Sequence, residues 1–493
     1  MWVEAVDLLM ERISRMSYGN RICGIGGAAQ QHGSVYWSKQ GVETLPGLCG
    51  KSSLKKQLET AFSLHDSPIW EDSSTSKQCR QLEAQAGGPV GLAALTGSAA
   101  FERFTGAQIA KIKQDNQEVW RRTERISLVS SFVTSLLAGK LAPIDLADAS
   151  GTNLLDIQHG HWHKQLCDSI DPQLIEKLGP SLCLANKTIG SLSPYFQEKY
   201  GFNSCLVVAF TGDNPAAYAG FESISGCECA PAIVSLGTSD TVLFPLDKYP
   251  YGEDSRALET PDGHVLRHPV DPERYLAMLC YKNGSLAREW VRDILEPECS
   301  SWEEFSRVAG RGGRLAPRAF GFYYPMTEIQ PRAQGIFRFE QSDDGDIVVP
   351  SSKRRYRRVT AFSPGISDAR AIVESQFMSM NVDCRRKTSG RLQAVAVTGG
   401  ASGNALLQQV MADVLGAAVH VVEGTQEHML SMPAYGGAVS AANAVLGTQH
   451  AGLEKCSYAL QLVCSPDEAE HRGYMEAMGD FEYLRRRVEE SDV

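Results

Sequence analysis

Phe210-Thr211-Gly212-Asp213-Asn214-Pro215, followed shortly by Val234-Ser235-Leu236-Gly237-Thr238-Ser239-Asp240, is the stretch that decides how this chain is read. The apolar run from Leu206 to Phe210 predicts a buried strand that ends in a small-residue turn presenting the Asp213 carboxylate. Ala232 to Leu236 is a second such run, closed by a Gly-Thr-Ser turn with backbone and hydroxyl donors. Alone, either turn reads equally as structural, since Asx turns use the same residues. Together they predict an α/β fold whose two turns open into one cleft. A carboxylate beside a donor-lined turn suits chemistry in which a hydroxyl is deprotonated near a phosphate.

Outward from this pair, the chain reads as two α/β domains facing each other across a cleft, with the boundary near Ser223 to Cys229. Met1 to Met16 predicts an amphipathic helix with Val3, Val6, Leu9, Met10 and Ile13 on one face. Arg21 to Gly27 predicts a short strand entering a glycine turn. Residues 89–141 look helical, with a buried helix over Ser127 to Leu137. In the second half Tyr275 to Tyr281, Gly321 to Tyr324 and Leu392 to Val397 predict strands, and Asp368 to Met380 and Asn404 to Leu415 predict helices. Arg314 to Pro317 and Asp343 to Arg358 are expected as loops, the basic run Lys353-Arg354-Arg355-Tyr356-Arg357-Arg358 lying on a solvated one.

Composition narrows the function classes. A formal charge of −10 argues against nucleic acid as a general partner, because phosphate backbones demand a basic surface. It leaves room for a nucleotide held by local donors and a metal. The 13 cysteines are scattered, Cys227 and Cys229 forming the close pair, which fits reduced structural thiols. No apolar run approaches transmembrane length, and acids occupy the N-terminal residues where an export signal is basic, so a cytoplasmic location without membrane contact is expected. Oligomeric state is left open.

Gly24-Ile25-Gly26-Gly27-Ala28-Ala29 superficially fits a dinucleotide fingerprint, but that motif requires a helix next. The continuation, Gln30-Gln31-His32-Gly33-Ser34-Val35-Tyr36-Trp37, reads as extended, so the dinucleotide reading fails. His32 at this strand end either hydrogen-bonds a polyol or is a buried histidine satisfied by backbone. Arg103, between Phe101 and Phe104, reads on pattern alone as a salt-bridged arginine with a packed stem. Thr398-Gly399-Gly400-Ala401-Ser402-Gly403-Asn404 joins a strand to a helix through residues small enough for a ligand to approach the backbone, or for tight strand–helix packing. Gly436-Gly437-Ala438 forms a second small-residue surface, and the two together place a nucleotide on the second domain.

With these residues placed, the chain closely resembles the FGGY carbohydrate kinases nearly end to end. The likeness is carried by Gln30 to Trp37, Ser67-Pro68-Ile69-Trp70 through Lys77-Gln78-Cys79, Phe101-Glu102-Arg103-Phe104-Thr105-Gly106, Thr211 to Pro215, Ser235 to Asp240, Lys282-Asn283-Gly284-Ser285-Leu286 and Thr398 to Ser402. Glycerol kinases are less similar, lacking the Gln-Gln-His-Gly segment. The resemblance implies two ribonuclease-H-like domains of the actin and hexokinase type, a sugar-binding one over 1–226 and a nucleotide-binding one over 227–493. It implies ATP-dependent phosphorylation of D-xylulose to D-xylulose 5-phosphate, with ATP and Mg2+ and with no residue assigned as metal ligand. His32, Arg103, Asp213 and Asn214 would contact the ketopentose, Asp213 as general base. Gly237, Thr238 and Ser239 would face the ATP phosphates, and Gly399, Gly400, Ala401 and Asn404 would line the adenosine pocket with Trp302 as a wall. The family opens on a strand carrying Asp-x-Gly-Thr, which does not precede Met1, so the first domain is expected to be incomplete. Two alternatives stand beside this reading: another pentulose or polyol kinase of the fold, or a catalytically impaired truncated isoform that binds sugar or nucleotide only.

Overall fold

The Leu206 to Phe210 run forms a strand over Leu206–Val208, its neighbour on one side being Gly24–Ile25. This computed structural model describes residues 1–16, 19–224, 231–251, 261–295, 299–388, 391–423, 431–447 and 458–490. The chain divides into two compact units, the first comprising Met1–Ser223, Leu246–Leu276 and Met429–Ser457, the second Ile224–Pro245, Ala277–His428 and Tyr458–Val493. The expected division between 226 and 227 lies outside the described residues, as do Cys227 and Cys229.

In the first unit, two short parallel pairings do the positioning. Gly24–Ile25 runs alongside Leu206–Val207, and Ala28–Ala29 alongside Thr211–Gly212. Parallel neighbours end on the same side of the sheet, so residues 30–32 and 213–214 emerge side by side at two carboxyl ends, where open α/β sheets hold their ligands. No helix follows Ala29; the chain turns through His32 at φ 70° into the strand Ser34–Ser38. That strand pairs antiparallel with Thr123–Leu128, and Trp37, fully buried, donates from its ring nitrogen to the Ser127 hydroxyl at 3.0 Å. Trp37 and Phe132 anchor a core shared with Val35, Leu136, Tyr195 and Val207.

Three expectations change here. Thr123–Leu128 is a strand inside the region read as helical, and the helix after it is Val129–Ala138. The β-branched Thr123 and Ile126 suit pairing, and the partner strand overrides the helical reading. The first helix, Trp2–Ser14, buries Val6 and Met10, while Leu9 points outward at 57% exposure. Gly436 and Gly437 lie inside the helix Met432–Leu446, which packs on the helix Asp213–Glu222 of this same unit. A Cβ at Gly436 would come within 1.8 Å of the Ala216 carbonyl oxygen, and one at Gly437 within 2.3 Å of the Gly27 Cα. Their small size serves backbone-to-backbone packing around the Asp213 helix.

The second unit is built on a sheet running in the order Asp240–Leu246, Ala232–Leu236, Ala394–Thr398, Ala418–Val422, Leu460–Cys464. Ala232–Leu236 pairs antiparallel with Asp240–Leu246 through the Gly237–Ser239 turn, and parallel with Ala394–Thr398, with Ser235 opposite Thr398. Tyr275–Tyr281 forms the expected strand, and the two expected helices appear as Asp368–Lys387 and Ala405–Leu415. The region read as a loop over 343–358 contains strands Ile347–Val348 and Arg355–Val359, part of a four-stranded sheet with Ala319–Tyr324 and Gly335–Gln341. Period-two placement explains this, since Tyr356 is fully buried while Arg355 and Arg357 face out. No helix among the described residues is long and apolar enough to cross a membrane.

Candidate active site

Asp213 opens the helix Asp213–Glu222, the first helical residue after the Thr211–Gly212 strand. Its Oδ1 accepts from the Asn214 backbone N–H at 2.9 Å and from the Asn214 side-chain amide at 3.2 Å. That amide also donates to Gln31 Oε1 at 3.0 Å, tying the two strand ends together. Burial raises the Asp213 carboxyl above its ordinary value, against the pull of N–H donors from Asn214 and Gln31. A carboxylate so raised is a stronger base than an ordinary aspartate.

His32 sits next to Gln31, buried and stacked on Phe104 with ring centroids 4.4 Å apart. Its Nδ1 lies 3.0 Å from the Gly151 carbonyl oxygen, which can only accept, so Nδ1 carries the proton. Burial, reinforced by the charge of Arg103, lowers the ring's pKa to about 3, leaving a neutral imidazole whose Nε2 is an acceptor. Arg103 lies over Phe101 and Phe104, at 5.0 and 5.6 Å from the ring centroids, and donates to Nε2 of His264 at 2.8 Å. The salt-bridge reading of Arg103 therefore gives way to an aromatic bed and a histidine partner. His32, Asp213 and Asn214 meet through Gln31, and Arg103 joins them through the shared Phe104 ring.

The structure adds further residues to this set. The Gln31 side-chain nitrogen is buried without a partner, as is that of Gln30, and such a donor costs about 1–3 kcal/mol unless something accepts from it. Behind Asp213 lies a pair of buried acids. Asp145 caps the helix Leu146–Ala149 and accepts from the Thr211 hydroxyl at 3.0 Å, while Asp148 accepts from the Ser130 hydroxyl at 2.5 Å. Burial pushes Asp145 up to about 7 and raises Asp148 as well, the latter further lifted by its neighbour Asp145. The paired Gln30-Gln31 is visible in the sequence; His264 and the two acids come from distant segments and carry no local signal.

In the second unit the Gly237–Ser239 turn leaves the Thr238 and Ser239 side chains exposed. Its rear is fixed by Asp240, which forms a two-point ion pair with Arg288 at 2.8 and 3.1 Å, both side chains 1% exposed. Burial raises the Asp240 carboxyl, with Arg288 opposing. Gly399, at φ +92°, packs directly on this turn: a Cβ there would lie 2.5 Å from the Leu236 carbonyl oxygen. Ala401 donates its N–H to the same oxygen at 3.3 Å. The Gly237–Ser239 and Thr398–Asn404 turns thus share the carboxyl end of one parallel strand pair. At Gly400 and Gly403 a Cβ would meet no atom within 4 Å, so the backbone there is open to a ligand. Asn404 caps the Ala405–Leu415 helix by accepting from Leu406 and Leu407, and donates to the Ser306 hydroxyl at 2.8 Å. Ser306 stands one helical turn from Trp302, whose ring, 39% exposed, lies under the Arg292 guanidinium at 4.5 Å.

With this geometry in view, comparison with known proteins is informative. The model of the FGGY family of carbohydrate kinases, N-terminal domain, matches residues 59–220, and that of the C-terminal domain matches 232–445. The xylulose kinase of Rattus norvegicus is 43% identical over 435 residues, spanning 86% of this chain and 75% of the rat protein. The chain belongs to the FGGY family of carbohydrate kinases. Xylulose kinase 2 of Arabidopsis thaliana is 42% identical over 430 residues, spanning 86% of this chain and 74% of the plant protein. Among solved structures, a ligand-bound xylulose kinase from Lactobacillus acidophilus superposes with a TM-score of 0.74 at 16% identity, covering 99% of this chain and 89% of that one, a likeness of fold. As a carbohydrate kinase of this family, the protein takes a sugar and ATP as substrates and works with a divalent metal.

Proposed function

We propose that this chain phosphorylates D-xylulose to D-xylulose 5-phosphate, with Asp213 as general base on the terminal hydroxyl. The observation that carries the reading is the Asp213–Asn214–Gln31 linkage beside His32, a raised carboxyl set among neutral polar groups. Its relatives at 42–43% identity, from rat, mouse and Arabidopsis, are xylulose kinases.

The roles follow from the chemistry of each group. His32 Nε2 accepts from one sugar hydroxyl, the Gln31 and Asn214 amides donate to others, and Arg103 supplies further donors. Asp213 takes the proton of the terminal hydroxyl as its oxygen bonds to the γ-phosphorus and the bond to ADP breaks. The Gly237, Thr238 and Ser239 donors hold the ATP phosphates. Gly399, Gly400 and Ala401 give the adenosine a backbone surface with no side chain larger than a methyl, with Asn404 fixing the turn and Trp302 as a wall. The exposed hydroxyls and open glycines of these turns fit a phosphorylated ligand. Mg2+ carried with ATP neutralises charge on the phosphates, and no side chain is assigned as its ligand.

The test pairs kinetics with binding. Asp213→Asn should lower turnover by roughly a hundredfold to ten-thousandfold while calorimetry shows D-xylulose still bound. Unchanged turnover would remove Asp213 from the role. ATP consumption across D-xylulose, D-ribulose and glycerol checks the sugar, and preference for either of the latter two would overturn D-xylulose.

A further inference from the structure

We infer that the hairpin Leu155–Trp162 carries a binding site for a late first-row divalent cation such as Zn2+, formed by Asp156, His159 and His161. The sequence spacing is Asp-x-x-His-x-His, and the fold turns that spacing into a cluster. Strands Leu155–Asp156 and His161–Trp162 pair antiparallel with Asp156 directly opposite His161. Cross-strand partners hold their side chains close on one face. His159 is brought back by the intervening turn, in which Gly160 N–H donates to the Asp156 carbonyl at 2.8 Å. One ligand atom from each of the three residues lies within 4.8 Å of the other two. Two donors on one tetrahedral Zn2+, at bond lengths of about 2.0–2.2 Å, stand roughly 3.4 Å apart, so small side-chain rotations close the cluster.

The hairpin is anchored to the fold without any ion. Ile157 and Trp162 are buried, Ile157 N–H donates to the Leu95 carbonyl at 3.1 Å, and the Trp162 ring donates to the Gly179 carbonyl at 2.7 Å. Arg267 holds the turn from below by donating to the Gln158 carbonyl at 2.6 Å. The ligand side chains remain open to solvent, with His159 at 70% exposure and Asp156 at 17%. The rings of His159 and His161 lie nearly parallel, 16° apart, with centroids separated by 5.7 Å. His159 Nδ1 lies 2.9 and 3.0 Å from the two Asp156 carboxylate oxygens, and with the ring proton on Nε2 a cation would take the place of that hydrogen bond. His161 Nδ1 lies 3.2 Å from the Trp162 carbonyl, which sets it as the protonated nitrogen and leaves Nε2 for the metal.

Two imidazole nitrogens and one carboxylate select the ion. This donor set suits Zn2+, Ni2+, Cu2+ or Co2+, whereas Mg2+ prefers oxygen ligands and several waters. The site is therefore separate in chemistry from the metal that accompanies ATP.

Co2+ titration of the full chain, followed by visible absorption, tests the assignment. The expected result is one high-affinity Co2+ per chain, with ligand-field bands free of thiolate charge transfer, displaced by Zn2+ and retained in a large excess of Mg2+. His159→Asn and His161→Asn should each weaken Co2+ by about 10- to 100-fold, with melting temperature in chelator unchanged because both side chains are on the surface. No saturable Co2+ binding, binding that survives in the double variant, or a thiolate band would overturn the site.

Discussion

The two units carry candidate sites of opposite kinds. In the first, the candidate site is made of side chains: a carboxylate, an imidazole, amides and a guanidinium, held by burial and by one another. In the second, it is made by turns, where glycines and small hydroxylated residues expose backbone. The contrast fits the proposed ligands, a sugar on the first unit and ATP on the second. A sugar is distinguished by the direction of each hydroxyl, which demands placed donors and acceptors, while a phosphate chain is satisfied by many weak donors around an anion. Chemistry in the first unit should hang on single atoms, and in the second on backbone shape.

Asp213→Asn is the sharpest way to break that comparison, and its loss of turnover should be the largest effect of any single substitution here. The wild-type pH profile adds a second reading. Because burial raises Asp213, the acid limb of kcat/KM should fall at a higher pH than an ordinary aspartate would give, as the base becomes protonated. In Asp213→Asn the residual rate should lose that limb. A limb that persists in the variant would assign it to another group.

Next in size is Arg288→Met, which tests whether the second unit's turn depends on support behind it. The change leaves Asp240 buried without its partner, and breaking such a pair costs about 3–5 kcal/mol. Urea unfolding should show a loss of this order, with KM for ATP raised in whatever fraction stays folded. Stability within about 0.5 kcal/mol of wild type would mean that the turn holds itself.

How far the sequence reaches can be traced along the same divide. Asp213 and the Gly237–Ser239 turn are legible because each ends an apolar run with residues of narrow conformational use. The Thr398–Asn404 turn is legible for the same reason. Arg103 misleads because its partner, His264, lies far along the chain and no local pattern announces it. The Thr123–Leu128 strand is hidden because its pairing with Ser34–Ser38, not its composition, decides its conformation. Gly436 and Gly437 look like a ligand surface, and only the approach of Ala216 and Gly27 shows them as helix-packing positions.

Glu222, at the far end of the Asp213 helix, extends the comparison to pH. Burial favours its neutral form, but His268 at 3.0 Å and Arg274 at 2.6 Å prevail and lower its pKa to about 2. A depressed carboxyl contributes stability that is present above its unfolded pKa and lost as pH falls through the folded one. Between about pH 4.5 and 2 the first unit should therefore lose on the order of 2–3 kcal/mol that Glu222→Gln lacks throughout. Chemical denaturation of both proteins across this range checks it. Parallel stability curves would show that the pair contributes nothing net.

The smallest effect should belong to Ser239→Ala. Its hydroxyl is exposed and sits 3.4 Å from the Lys282 carbonyl, a long contact whose loss leaves nothing buried unpaired. If phosphates are held mainly by the turn's backbone, removing this one hydroxyl takes away one donor of several, and kcat/KM for ATP should fall by no more than about tenfold. A loss approaching that of Asp213→Asn would place a transition-state contact on this single oxygen. The second unit would then work by placed side-chain atoms as the first does, and the contrast between the two would dissolve.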